Sequence, residues 1–239
     1  KYILDDKEIE TLKELGIKTS VIVSRVCGEI KKGDSEFNGL ALLHKHLIDE
    51  GITSNVSFIG SDKRIFDYRH PITTFKKIDN YFMVVICSEF KGLIASMSRS
   101  AYFGKIPKEI EEKKNILAKI DAEIIQHTRP GKTYAEVFKF IKNTYEKFGY
   151  KDEWKHHLQG GPLGYSPRYF LANEFTDVSI EVGHAFAWNP TVRGTKSEDT
   201  FLVKEDFNEC LTYDKNWPSI EIKTSGMAIK RPDILERKK

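Results

Sequence analysis

The sequence predicts an α+β domain built from two similar halves, and three observations carry that prediction. Pairs of amphipathic helices are each followed by β-rich runs. The breakers that end these helices recur 98 residues apart, at Gly33 and Gly131 and again at Gly51 and Gly149. The 239 residues, 40 % hydrophobic and 31 % charged, have the composition of an ordinary globular chain. A chain of this length buries enough surface to fold without a disulfide or metal staple. Its composition excludes a disordered chain, a collagen-like chain and a disulfide scaffold. No run of about 18 apolar residues occurs, so no membrane span is expected. A net charge of +3 gives no argument for nucleic acid. Cys27, Cys87 and Cys210 form no CxxC pair, which fits a reduced, cytoplasmic protein. No signal-peptide pattern is present. The start at Lys1 rather than Met leaves room for a domain ahead of this one.

The elements follow in order. Val23, Val26 and Ile30 mark a first helix over roughly 8–30, and Ile116, Ile120 and Ile124 mark its counterpart over 108–128. Gly33 or Gly131 ends it, and Ser35 or Thr133 caps a second helix that runs to Gly51 or Gly149. The same offset pairs Leu40 with Phe138, Leu43 with Ile141 and Leu47 with Tyr145. Strands are expected at 55–60, 81–89 and 92–104, then at 154–159, 184–190 and 199–204, with short β-like pieces such as 220–223. One domain over 1–239 is expected, with halves near 1–105 and 106–239 and a ligand cleft between them.

Four segments could carry chemistry. His70 precedes Pro71 in an extended stretch, where a fixed histidine could act as general base or acid, or simply sit on the surface. KHHLQGGPLGYSPRYF (155–170) holds His156 and His157, which alternate sides if it is a strand, then Gly160, Gly161 and Arg168. HAFAWNPTVRGTKSEDTFLV (184–203) ends a strand at Asn189 and starts another at Glu198-Asp199, an acidic pair that also reads as a solvated turn. The hairpin around Glu89–Arg99 includes Ser96 and Ser98, and nearby Cys87 reads as a buried small hydrophobe.

Together these segments resemble the creatinase, prolidase, aminopeptidase P and methionine aminopeptidase family, the M24-type peptidases with the pita-bread fold. EFKGLIASMSR (89–99) is similar to the family's E-Y-x-G-Y-x-x-D-x-T-R hairpin. HLQGGPLG (157–164) is similar to H-x-x-x-H-x-x-G, and NPTVRGTKSEDTFLV (189–203) to E-P-x-x-x-G-x-x-x-E-D-x-x-x-V. The resemblance implies a pita-bread fold with internal pseudo-two-fold duplication, which that family shares. In the peptidases, two aspartates, a histidine and two glutamates hold a dinuclear metal centre. Those positions fall here on Val85, Ser96, Gly161, Asn189 and Glu198, so no metal and no other cofactor is expected. The retained set is His70 and Glu198 as catalytic candidates, with His157, Arg168, Lys196 and Asn189 as substrate-binding candidates. His70 matches the catalytic histidine of creatinase, the family's metal-free hydrolase.

The implied activity is a metal-independent, creatinase-like or Xaa-Pro-peptidase-like hydrolysis of C–N bonds. Arg168 and Lys196 stand where relatives face metals or substrate, so the expected substrate is a small acidic or peptide-like molecule. The alternative is an inactive pita-bread module that binds a ligand or protein, as in the peptidase-like domain of the large subunit of the FACT histone chaperone. No nucleic-acid or membrane partner is expected, and a homodimer is a family expectation. The basic ending KRPDILERKK reads as a solvated terminus.

Overall fold

The structure is a computed structural model that describes residues 2–224 and 227–238. The first half opens with α1 (Asp6–Glu29) and α2 (Glu36–Asp49). Reciprocal capping boxes start them, Asp5 with Glu8 and Ser35 with Asn38. Then come β1 (Thr53–Ser61), the short α3 (Lys63–Asp67), β2 (Tyr81–Phe90) and β3 (Leu93–Phe103). The second half repeats the plan with α4 (Lys108–His127) and α5 (Tyr134–Lys147), the latter capped by Thr133 with Glu136. The repeat extends to backbone bonds. Gly33 N donates to Ile78 O and Gly131 N to Ile180 O, at 2.9 and 3.0 Å. Both glycines take left-handed φ, +90° and +83°, which side chains rarely adopt.

The second half continues with β4 (Gly160–Leu163), β5 (Ala185–Trp188), β6 (Thr191–Val192), β7 (Thr195–Lys196), β8 (Asp199–Val203) and β9 (Asn208–Cys210). The tail adds β10 (Ser219–Thr224), β11 (Met227–Pro232) and β12 (Leu235–Arg237). Two four-stranded sheets result, ordered β1-β2-β3-β12 and β4-β5-β8-β9. They meet where Ser98 of β3 bridges Glu198, with Ser98 N donating to Glu198 O at 3.0 Å. α1 and α2 pack with the first sheet around Leu12, Leu43, Val84 and Met97. α4 and α5 pack on the second around Ile124, Ile141, Phe186 and Phe201. The seam between the sheets is therefore walled on both sides by apolar layers, and polar groups there depend on one another.

Three expectations change. Residues 154–159 are not a strand: Glu153–His156 is a 3-10 turn, because Tyr150 O and Asp152 O accept from Glu153 N and Lys155 N, and the strand begins at Gly160. Glu198 and Asp199 do not form a solvated turn, being 3 % and 1 % exposed. The basic tail is not a solvated terminus: Arg231 is buried in β11, and β12 pairs in parallel with β3. Among the described residues, no helix is long and apolar enough to cross a membrane.

Candidate functional site

The site grows from the β2–β3 hairpin. Lys91 and Gly92, both with positive φ, turn the chain and set a register that pairs Val85 with Ser98 and Cys87 with Ser96. All four side chains therefore share one face of the sheet. Glu198, an isolated bridge residue just before β8, meets that face, and Ser98 Oγ donates to its Oε2 at 2.7 Å. The loop after β4 delivers Arg168, whose Nη2 donates to Glu198 Oε1 at 2.9 Å and whose Nη1 donates to Ser96 Oγ at 3.1 Å. Ser96 Oγ in turn donates to Cys87 Sγ at 3.3 Å. Lys196 Nζ lies 3.2 Å from Glu198 Oε2 yet makes no hydrogen bond of good geometry. The side chains of Arg168, Glu198 and Lys196 are 9 %, 3 % and 1 % exposed.

Two cations thus meet one carboxylate in a desolvated place. Burial alone would raise the Glu198 carboxyl, but Lys196, Arg168 and Ser98 outweigh it and hold the group ionised. Burial pushes the Lys196 ammonium down and Arg168 adds to that, against the opposing pull of Glu198.

Beside this cluster stand two histidines. His157 is buried, and its Nδ1 faces Asn189 O at 3.1 Å, so Nδ1 carries the proton. Its Nε2 is then an acceptor, 3.1 and 3.3 Å from the ring nitrogens of His70. His70 therefore donates one N–H and keeps its other nitrogen as a base. Its ring packs on Phe58 and its outer side is open to solvent. Burial lowers both histidines below the usual value, helped by Lys196. A native pKa below the unfolded 6.5 means that the unfolded chain takes the proton first, so stability falls as pH drops below about 6.5. Thermal melts at pH 7 and pH 5 are expected to show this loss, and His157→Asn to make it shallower.

The remaining candidate, Asn189, is 3 % exposed. With its amide nitrogen turned toward carbonyls, it donates to Leu158 O and Gln159 O at 2.6 and 2.9 Å and so braces the loop that carries His157. The structure brings His70, His157, Arg168, Lys196 and Glu198 to one seam. The sequence reading missed the ions behind them. Arg99 Nη2 donates to Asp199 Oδ1 at 2.8 Å. Arg231 Nη2 lies 2.6 Å from Asp121 Oδ2 and 2.9 Å from Asp199 Oδ2. Arg99 and Asp199 lie inside the quoted motifs, whereas nothing local marks Asp121 or Arg231.

The donor set does not fit a dinuclear metal centre. Val85 has no donor atom, Ser96 already hydrogen-bonds Arg168, and Glu198 is closed onto two cations. A Cβ on Gly161 would meet Phe170 O at 2.3 Å, so no histidine enters there without moving backbone. Among the described residues, no group of three or more His, Cys, Asp or Glu is placed to hold an ion.

A family model for metallopeptidase family M24 matches residues 10–205. The chain belongs to that family. It is 27 % identical over 231 residues to an uncharacterized peptidase of Staphylococcus epidermidis, covering 89 % of this M24 chain and 59 % of that protein. The chain thus spans about three fifths of that relative's length. Among solved structures it is similar to the prolidase of Pyrococcus furiosus, with TM-score 0.80 and 17 % identity, covering 90 % of this chain and 66 % of that one. It is also similar to the X-Pro aminopeptidase of Thermotoga maritima, with TM-score 0.80 and 16 % identity over 99 % of this chain and 65 % of that one. The methionine aminopeptidase of Rickettsia prowazekii matches with TM-score 0.70 and 14 % identity, over 88 % of this chain and 99 % of that one. The architecture is the pita-bread fold.

Proposed function

We propose that this M24 chain is a hydrolase of C–N bonds in small acidic or peptide-like substrates and that it works without a dinuclear metal centre. The observation that carries the reading is the Arg168–Glu198–Lys196 cluster, two cations on one carboxylate where relatives of this fold hold metals. An excess positive charge in a desolvated seam favours an anionic group. Arg168 and Lys196 would bind a carboxylate or polarise a carbonyl oxygen. Glu198 holds both cations in place and is a positioning residue as much as a catalytic one. His70, neutral near pH 7 with one unprotonated ring nitrogen, takes the proton of the attacking water. His157 fixes the His70 ring through their contact.

Metal analysis combined with dipeptide assays tests this. Purified protein is expected to hold no stoichiometric transition metal, and its hydrolysis of dipeptides to survive a chelator. Two metals per chain, or chelator-sensitive turnover, would sink the reading. Arg168→Ala is expected to weaken binding of acidic peptides about tenfold or more and that of neutral analogues far less. Equal losses for both would remove the anion-site argument. The burial of the cluster, at 9 % exposure or less, favours a second reading as a ligand-binding module. Tight peptide binding with no turnover in the wild type would decide for it.

A further inference from the structure

The depression that opens at His70 has chemistry of its own. It encloses about 610 Å³, and its walls come from three segments distant in sequence. α3 and the turn after it supply Phe66 to His70, the 3-10 turn supplies Glu153 and His156, and the β6–β7 turn supplies Arg193. Its two acidic residues are engaged. Glu153 Oε2 accepts from Arg69 Nη2 at 2.5 Å, and Asp67 Oδ2 accepts from Lys63 Nζ at 2.5 Å. Arg193 is held by a backbone carbonyl and a longer ion pair. Its Nε donates to Phe66 O at 3.2 Å, and its Nη2 is 3.9 Å from Asp67 Oδ1. Among the described residues, the exposed His156 makes no side-chain hydrogen bond.

The placement of Arg193 is built in. Gly194 has φ +93°, and a Cβ there would lie 2.4 Å from Phe66, so the turn sits directly on the α3 aromatic ring. A guanidinium held at a pocket wall with donors to spare is suited to a carboxylate.

We infer that this depression is a subsite for an acidic group on the outer part of the substrate, read by Arg193 with His156 beside it. The inference rests on the reading of His70 and Arg168 as the substrate site and narrows the substrate to an acidic dipeptide-like molecule. One acidic group meets Arg168 and Lys196, and a second lies over His70 against Arg193.

The test is calorimetric titration with five dipeptides: Ala-Ala, Glu-Ala, Ala-Glu, Lys-Ala and Ala-Lys. Wild-type protein is expected to bind one of the two glutamyl peptides about tenfold more tightly than Ala-Ala. Arg193→Glu is expected to cancel that preference and turn it toward the matching lysyl peptide. The Arg193 side chain is 62 % exposed, so the variant is expected to fold, and a thermal melt checks this. An acid preference that persists in Arg193→Glu, while Arg168→Ala weakens the glutamyl peptides most, overturns the subsite alone. A wild type that binds none of the five overturns the underlying site reading and this inference with it.

Discussion

Replacing Arg231 by methionine is expected to lower the unfolding free energy by about 3–5 kcal/mol, because it strands the buried Asp121 carboxylate. Arg231 Nε donates to Asp121 Oδ2 at 2.7 Å and Nη2 to Ser197 Oγ at 3.0 Å, while Asp199 Oδ2 lies 2.9 Å away. All three charged side chains are 1 % exposed. After the change, Asp199 keeps Arg99 and Thr212 as partners, but among the described residues Asp121 keeps only the Ser197 hydroxyl. For a domain of this size, the loss is read as a melting-temperature drop of about 10 °C. Burial already raises the Asp121 carboxyl despite Arg231. Without the arginine it should rise further, and a raised native pKa makes stability fall as pH climbs above the unfolded value. The variant should therefore be more impaired at pH 7 than at pH 5. Adding Asp121→Asn should recover part of the loss. A drop of under 1 kcal/mol, or no recovery, would show that the cluster is not what anchors the tail.

Gly161→Ala is expected to cost about 1–3 kcal/mol, with Gly161→His worse. The added Cβ meets Phe170 O at 2.3 Å, and that oxygen is backbone. The segment cannot yield cheaply, because Tyr169 N donates to Pro162 O and Ala172 N to Gly160 O, both at 2.9 Å. Amide hydrogen exchange at Tyr169 and Ala172 should accelerate in the variant. Gly28→Ala is the control. It lies on an exposed stretch of α1 with nothing within 4 Å of a new Cβ, so a gain of about 0.5–1 kcal/mol is expected. An unchanged Gly161→Ala protein would mean that the loop moves freely, and the case against a metal-binding histidine there would weaken.

The helices were legible because their signals are local. Ser35 and Thr133 cap the second helix of each pair and Gly51 and Gly149 close it, whereas the first helices already end at Ile30 and Thr128, three residues before Gly33 and Gly131. The seam was legible through order along the chain: Arg168, Lys196 and Glu198 fall where the motif strings place cleft residues. The stretch 154–159 misled because Trp154 and the histidines have β-like composition, while backbone turns at Tyr150 and Asp152 decide the conformation. Arg231 was illegible for a different reason. Its partner Asp121 lies 110 residues away, and a charge-rich ending looks solvated until a distant carboxylate is known to await it.

That long separation also bears on when the molecule becomes itself. The arginine that neutralises Asp121 and Asp199 lies beyond the family-matched span, and Leu235–Arg237 then completes the edge of the first sheet beside β3. During synthesis the two helix pairs can form early from local contacts, while the seam holds uncompensated acid until β11 emerges. Final closure of the seam therefore waits for β11, and a fragment ending at the family boundary should persist as a loosely packed, protease-sensitive species.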